Sequence, residues 1–208
     1  MTHGADFSLL ETMRLEGGRI PRLERHVARM AASAATFGFR WHEAPVRNAI
    51  HDVAGRHAAG CWRLRLLVDR MGTPSLACAP YEPDPRPWRV ALADSPIDDR
   101  DPFILHKTTN RLVYEKARAA RHDVDDVLLW NQRREITEVT IANVVFELDG
   151  VRVTPPVTSG LLAGTFRGEL LDAGILREEV VTRTDLERAS RIWLINSLRE
   201  WIDGDLVS

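Results

Sequence analysis

At 208 residues the chain is long enough for one large domain or two small ones around a substantial core. With 44% apolar and 28% charged residues and a net charge of −2, it has an ordinary globular composition and no electrostatic footprint for nucleic acid or an anionic membrane. Its longest apolar stretches, Leu64–Val68 and Val127–Trp130, are strand-sized; Met1–Asp6 is polar rather than signal-like; and Cys61 and Cys78 lack the spacing of a zinc site or a disulfide framework.

Ser8–Leu15 reads as a strand turned by Glu16-Gly17-Gly18-Arg19. Pro21 suits the first turn of a helix, and Leu23, Val27, Met30, Ala31, Ala34 and Phe37 then recur at helical spacing up to Gly38. A second helix is expected over 44–57. Arg63–Asp69 and Pro74–Ala79 flank the turn Arg70-Met71-Gly72-Thr73. These elements make an expected small α/β lobe over 1–80. Six prolines between Pro80 and Pro102, with one short strand at Trp88–Ala93, mark 81–102 as an expected linker. In the expected large lobe, 103–208, Thr108–Arg121 reads as a helix. Strands follow at Asp126–Trp130 and Glu135–Thr137, and Asn143–Leu148 and Val151–Thr154 bracket the hairpin signal Asp149-Gly150. A helix is expected over Gly164–Asp172. Strands over Arg177–Thr182 and Arg191–Asn196 enclose a short helix capped by Thr184 or Asp185.

Of 28 basic residues only Lys107 and Lys116 are lysines. A chain that uses arginine wherever a cation suffices invites the question of what an amine does that a guanidinium cannot, and imine formation is one answer. Lys116 follows Glu115 in an arginine-rich amphipathic stretch and reads as a solvated helix residue. Lys107 stands in His106-Lys107-Thr108-Thr109-Asn110-Arg111, between an extended run and a helix.

Downstream come Ile136-Thr137-Glu138-Val139-Thr140-Ile141-Ala142-Asn143, then Thr154-Pro155-Pro156, then Leu161-Leu162-Ala163-Gly164-Thr165-Phe166-Arg167. With these motifs in this order, from about Phe7 to Asp203, the chain resembles the class IV aminotransferase family, the fold-type-IV pyridoxal phosphate enzymes. The resemblance implies a two-lobed α/β (α+β) architecture with mixed sheets, helices and the cofactor between the lobes. It implies that Lys107 carries pyridoxal 5′-phosphate as a Schiff base and shuttles a proton beside the substrate carbon. Glu138 matches the carboxylate that faces the pyridine nitrogen and makes the ring an electron sink. Leu162, Thr165, Phe166, Arg29 and Ser197 match cofactor-binding positions. A helix start at Gly164-Thr165-Phe166 suits a phosphate, although the family usually has a hydroxyl residue where Phe166 stands. In the family a further hairpin or strand pair usually precedes the segment matching Phe7 and carries active-site side chains.

Reaction type has to come from the site, because the family holds lyases and transaminases. Asn110-Arg111-Leu112, Asn196-Ser197-Leu198 and Phe7–Arg14 resemble the family's aminodeoxychorismate lyases, which convert 4-amino-4-deoxychorismate to 4-aminobenzoate and pyruvate. A branched-chain or D-amino acid transaminase, a family member that binds cofactor or a partner without turnover, and an unrelated α/β binding protein are the alternatives. Arg65, two residues from Arg63 on one strand face, is the candidate for a substrate carboxylate, and Thr12 and Asn110 are candidates for the pocket wall. The expected partners are a small-molecule amine and, from the resemblance, a second copy of the chain; neither metal, nucleic acid nor membrane is expected. A cytoplasmic location fits.

Overall fold

The computed structural model describes residues 6–207. Most of the polar opening that was weighed as a targeting segment lies outside the described residues. The chain packs as two compact units, one running to Pro83 and including His106–Asn110, the other formed by Asp84–Leu105 and Arg111 onward.

In the first unit β1 (Leu9–Glu16), β2 (Cys61–Val68) and β3 (Pro74–Pro80) form an antiparallel sheet in that order, with α1 (Leu23–Phe37) and α2 (Glu43–Arg56) packed on it. Leu9, Glu11, Met13 and Leu15 lie on one face of β1 and are all buried, opposite buried Leu64, Leu66 and Val68 on β2. α1 contributes Val27, Met30 and Ala34 to the same core, the spacing that the sequence shows. It starts at Leu23, after Pro21, because Arg22 takes a left-handed φ of 63° at the N-cap; it ends where expected, at Gly38 with φ 67°.

The second unit is an eight-stranded mixed sheet around a core that includes Val90, Leu128, Val144, Phe146, Ile192 and Leu194. Its strands in chain order are β4 (Trp88–Leu92), β5 (Asp126–Trp130), β6 (Ile136–Val139), β7 (Asn143–Leu148), β8 (Val151–Thr154), β9 (Arg177–Glu178), β10 (Arg191–Asn196) and β11 (Glu200–Val207). Across the sheet they run β6, β5, β4, β11, β10, β7, β8, β9. Beyond β9, Thr182 bridges Glu135 and the Ile136 N–H donates to Val181 O, so the two ends of the sheet approach each other. On the outside of the sheet, α3 (Pro102–Leu105) and α4 (Leu112–Ala120) cover one part through Ile104 and Tyr114, and α5 (Thr165–Asp172) covers another through Phe166 and Leu170.

Three differences from the sequence reading have local causes. The stretch read as a linker contains β4, which pairs with β11 on one side and β5 on the other; from Asp84 it therefore belongs to the second unit. Its prolines fall before and after β4, where no ladder N–H is required. The expected helix over Thr108–Arg121 begins only at Leu112, because the backbone of 107–109 is taken up by β1. The strand expected over Arg177–Thr182 shortens to Arg177–Glu178: the segment bonds to Thr154 through Glu179 and then switches to Ile136 through Val181. The hairpin at Asp149-Gly150 forms as read, with φ 52° and 77° at its two turn residues, the left-handed pair that a tight hairpin turn needs.

Candidate active site

In the first unit the lysine segment adds itself to the outer edge of β1. The Leu10 N–H donates to Lys107 O at 3.0 Å, the Thr109 N–H to Ser8 O at 2.9 Å, and the Ser8 N–H to Thr109 Oγ1 at 2.9 Å. Leu9 and Thr108 form an antiparallel bridge, which puts Lys107 opposite Leu10. Residues opposite each other in such a pair share a face. Lys107 therefore lies on the face of Leu10 and Thr12, and Arg65 on β2 stands directly opposite Thr12. From Lys107, Arg65 is two strands across and two residues along, ~12 Å between Cα atoms at ordinary sheet spacing. Lys107, Thr12 and Asn110 are half-buried; Arg63 and Arg65 are exposed. Thr108 holds the turn after the lysine, its Oγ1 accepting from the Asn110 N–H at 3.2 Å. Lys116, the other lysine, is exposed.

Arg29 lies on the opposite, helix-covered face. Its Nε donates to Glu11 Oε1 at 2.8 Å and its Nη2 to Glu11 Oε2 at 2.6 Å, while His26 Nδ1 stands 2.7 Å from Glu11 Oε2. Burial alone would raise the Glu11 carboxyl, but the Arg29 guanidinium and the His26 ring outweigh it and hold the group at about 2, down from 4.5. Burial pushes the His26 ring down as well, so at neutral pH it is the uncharged ring whose Nδ1–H donates. One turn further along α1, Ser33 Oγ is 3.0 Å from His106 Nδ1, which ties the helix to the residue before Lys107.

These shifts carry a prediction. A carboxyl whose folded pKa lies below its unfolded value stabilises the fold at pH above about 4.5, and that stabilisation is lost as the pH falls towards about 2. The difference corresponds to about 3 kcal/mol. His26, kept neutral, adds a loss of the same sign below about pH 6.5. Urea midpoints measured from pH 7 down to pH 3 should fall steeply for the native chain and much less for Glu11→Gln, which starts lower.

In the second unit Glu138 on β6 is 3% exposed. Tyr114 donates its phenol to Glu138 Oε1 at 2.8 Å, the Leu162 N–H donates to the same oxygen at 3.2 Å, and the Asn143 amide donates to Oε2 at 3.2 Å. Burial, with Glu138 beside it, raises Tyr114 well above its usual range, which keeps the phenol a donor. Arg111 props this arrangement, stacking 4.5 Å over the Tyr114 ring and donating to Thr140 O just past Glu138. Asn143 joins three pieces of chain, since it also donates to Leu162 O at 2.9 Å, and a Cβ on Gly164 would stand 1.9 Å from its Oδ1. Glycine at 164 is thus a packing requirement.

The candidate phosphate residues of this unit gather at one corner. Phe166, on the first turn of α5, packs in a cluster with Trp193 and Ile195 of β10, and Ser197 opens the turn that follows β10. Thr165 and Ser197 are buried. The ring of Phe166 is committed to that cluster, edge-on to Trp201 at 6.2 Å, so at this position only the backbone is available to an anion. The turn carrying Ser197 is held by Asn196 Oδ1, which accepts from the N–H groups of Leu198 and Arg199 at 3.0 and 2.8 Å.

Sequence reasoning missed Tyr114, Glu11 and His26. Tyr114 is one of two tyrosines in the chain and lies on the buried side of α4; that rarity was the available signal. Leu112, taken as part of the helix's spacing, is 69% exposed.

These donor sets fit pyridoxal phosphate. The buried Glu138 carboxylate accepts from Tyr114, Leu162 and Asn143, which fix its place, and a carboxylate held in this way suits a protonated pyridine nitrogen. A helix start beside a serine suits a phosphate. Comparison with known proteins agrees. The family model described as amino-transferase class IV matches residues 8–205. A Schizosaccharomyces pombe protein named "Putative aminodeoxychorismate lyase" is 30% identical over 96% of this chain and 90% of its own length. The crystal structure of a "Putative amino-acid aminotransferase" from Mesorhizobium loti is 38% identical, covers 97% of this chain and 100% of that one, and superposes with a TM-score of 0.89. The crystal structure of a "putative branched-chain amino acid aminotransferase" from Thermotoga maritima, 21% identical over 96% of this chain and 76% of that one, shares the fold with a TM-score of 0.85. Motif order, mixed α/β fold and a match over nearly the whole length converge: the chain belongs to the class IV aminotransferase family.

Proposed function

We propose that the chain is a pyridoxal phosphate-dependent lyase that converts 4-amino-4-deoxychorismate to 4-aminobenzoate and pyruvate, working as a homodimer. The observation that carries the reading is the register that puts Lys107, Thr12 and Arg65 on one sheet face, an amine and a cation spaced for a substrate with an amino group at one end and carboxylates beyond it. When bound, the cofactor supplies an aldehyde for amines and a ring that accepts an electron pair. Lys107 would hold it through Nζ, the place that the substrate amine would take over. The Lys107 Nζ then removes the proton from the amine-bearing ring carbon. Glu138 would hold a proton at the pyridine nitrogen, which would let the bound ring serve as the electron acceptor. The ether C–O bond breaks, the ring becomes aromatic, and the departing enolpyruvate takes up a proton to become pyruvate. Arg65 pairs with a substrate carboxylate. Thr165, the Phe166 backbone, Ser197 and Arg29 serve the phosphate, with Leu162 beside the ring.

The lyase reading draws support from the name of the S. pombe relative and from Asn110-Arg111-Leu112 and Asn196-Ser197-Leu198. The M. loti neighbour's name favours a second reading, transamination of an amino acid. Incubation with 4-amino-4-deoxychorismate should release pyruvate, followed by coupling to lactate dehydrogenase. A parallel reaction with branched-chain and D-amino donors and 2-oxoglutarate should yield no glutamate. Glutamate without pyruvate would replace the lyase by the transaminase, and neither product would leave a binding protein.

A further inference from the structure

Glu11 occupies an unusual place: a carboxylate 1% exposed among Leu9, Met13 and Leu15 on the inner face of β1, where each neighbour is apolar and fully buried. An apolar side chain of similar size would fill that space without the loss of hydration that a buried charge entails, and buried ion pairs are seldom the most stabilising choice. The geometry shows what the carboxylate does instead. Both of its oxygens bind the Arg29 guanidinium side-on, through Nε and Nη2, and the His26 ring buttresses one of them from the preceding turn of α1. Two parallel bonds fix the plane of the guanidinium as well as its position. Glu11 is also joined to the lysine segment through the next bond of its own strand, since the Leu10 N–H donates to the Lys107 carbonyl. The Ser33–His106 contact clamps α1 to the same segment. Glu11 therefore sets the separation between Arg29 and Lys107 within one rigid frame.

We propose that Glu11 and His26 are positioning residues that hold Arg29 ready for the phosphate ester of the cofactor, at a fixed distance from the amine that takes its aldehyde. The proposal rests on the reading of Arg29 as a phosphate-binding residue. An arginine left to itself has many rotamers to give up on binding, and one ordered during folding has already given them up. The net charge works in the opposite direction, because a carboxylate beside Arg29 reduces its attraction for an anion. The sign of the change on removing the Glu11 charge therefore separates the two effects: lost orientation weakens phosphate binding, lost neutralisation strengthens it.

The test compares pyridoxal 5′-phosphate with pyridoxal, which has the aldehyde but no phosphate, by absorbance titration of the full chain. The ratio of the dissociation constant for pyridoxal to that for pyridoxal 5′-phosphate, compared between variants, reads the change in the phosphate contribution, because the internal hemiacetal of free pyridoxal is common to all of them. Glu11→Gln should lower that ratio about tenfold, while the affinity for pyridoxal stays near the native value. His26→Leu should lower it by a smaller factor, and His26→Asn, which restores an N–H at the same reach, should return it towards native. These histidine variants carry the test on their own if Glu11→Gln does not fold. Arg29→Gln is the control for the underlying reading: an unchanged ratio there overturns the assignment of Arg29 and the proposal with it. If Arg29→Gln lowers the ratio but Glu11→Gln raises it, or if Glu11→Gln and His26→Leu weaken both ligands equally, Arg29 keeps its role and the positioning proposal is overturned.

Discussion

If Lys107 carries the cofactor as proposed, the native chain should show a visible absorbance band with pyridoxal phosphate that Lys107→Ala lacks, and the variant should lower turnover by about 10³-fold or more, the scale expected when the group that forms the covalent bond and moves the proton is removed. The backbone bond from the Leu10 N–H to the Lys107 carbonyl is one that alanine keeps. Lys107→Arg is the stricter variant: it preserves the positive charge and the reach but offers no amine for an aldehyde. If Lys107→Arg retains both the band and turnover, the amine is elsewhere and the proposed chemistry fails. Any residual cofactor affinity in either variant reports the phosphate and ring contacts alone.

Glu138→Gln should fold, bind cofactor and still lower kcat by about 10²-fold to 10³-fold, with a much smaller change in KM. The amide occupies nearly the same volume and can accept from Tyr114 and Leu162 through its oxygen, so the hydrogen bonds to Oε1 survive. What it cannot do is hold a proton on the pyridine nitrogen by charge. A loss of kcat at preserved affinity therefore separates an electronic role from a structural one. Tyr114→Phe removes one neutral donor and leaves the charge, so it should lower kcat by a smaller factor. Were Glu138→Gln to turn over at the native rate, the ring would not need that carboxylate and the match to the family's pyridine partner would fail in function.

The two variants address residues on different units, and their visibility in the sequence differs. Lys107 stood out because all but two of the 28 basic residues are arginines, and the chemistry of an imine excludes a guanidinium. Glu138 was legible through its place in a run of motifs. Tyr114 was not: its hydroxyl meets Glu138 across 24 positions, on a helix whose expected start was four residues too early. Nor was the Glu11–Arg29 pair, because a glutamate in an alternating strand and an arginine in an arginine-rich helix each read as surface residues when taken alone.

Composition and periodicity by themselves determined the strand at β1, the core face of α1 and the hairpin at Asp149-Gly150. Each of these follows from interactions a few residues long. Tertiary structure decided the rest. The segment 107–109 is extended because β1, a hundred residues earlier, claims its N–H and C=O groups before a helix can. β11, with Asp203, Gly204 and Asp205 in its middle, has poor strand propensity and exists because β10 and β4 pair with it on both sides. Backbone hydrogen bonding between distant segments leaves no periodic trace in either partner, and that is why it could be seen only once the chain was folded.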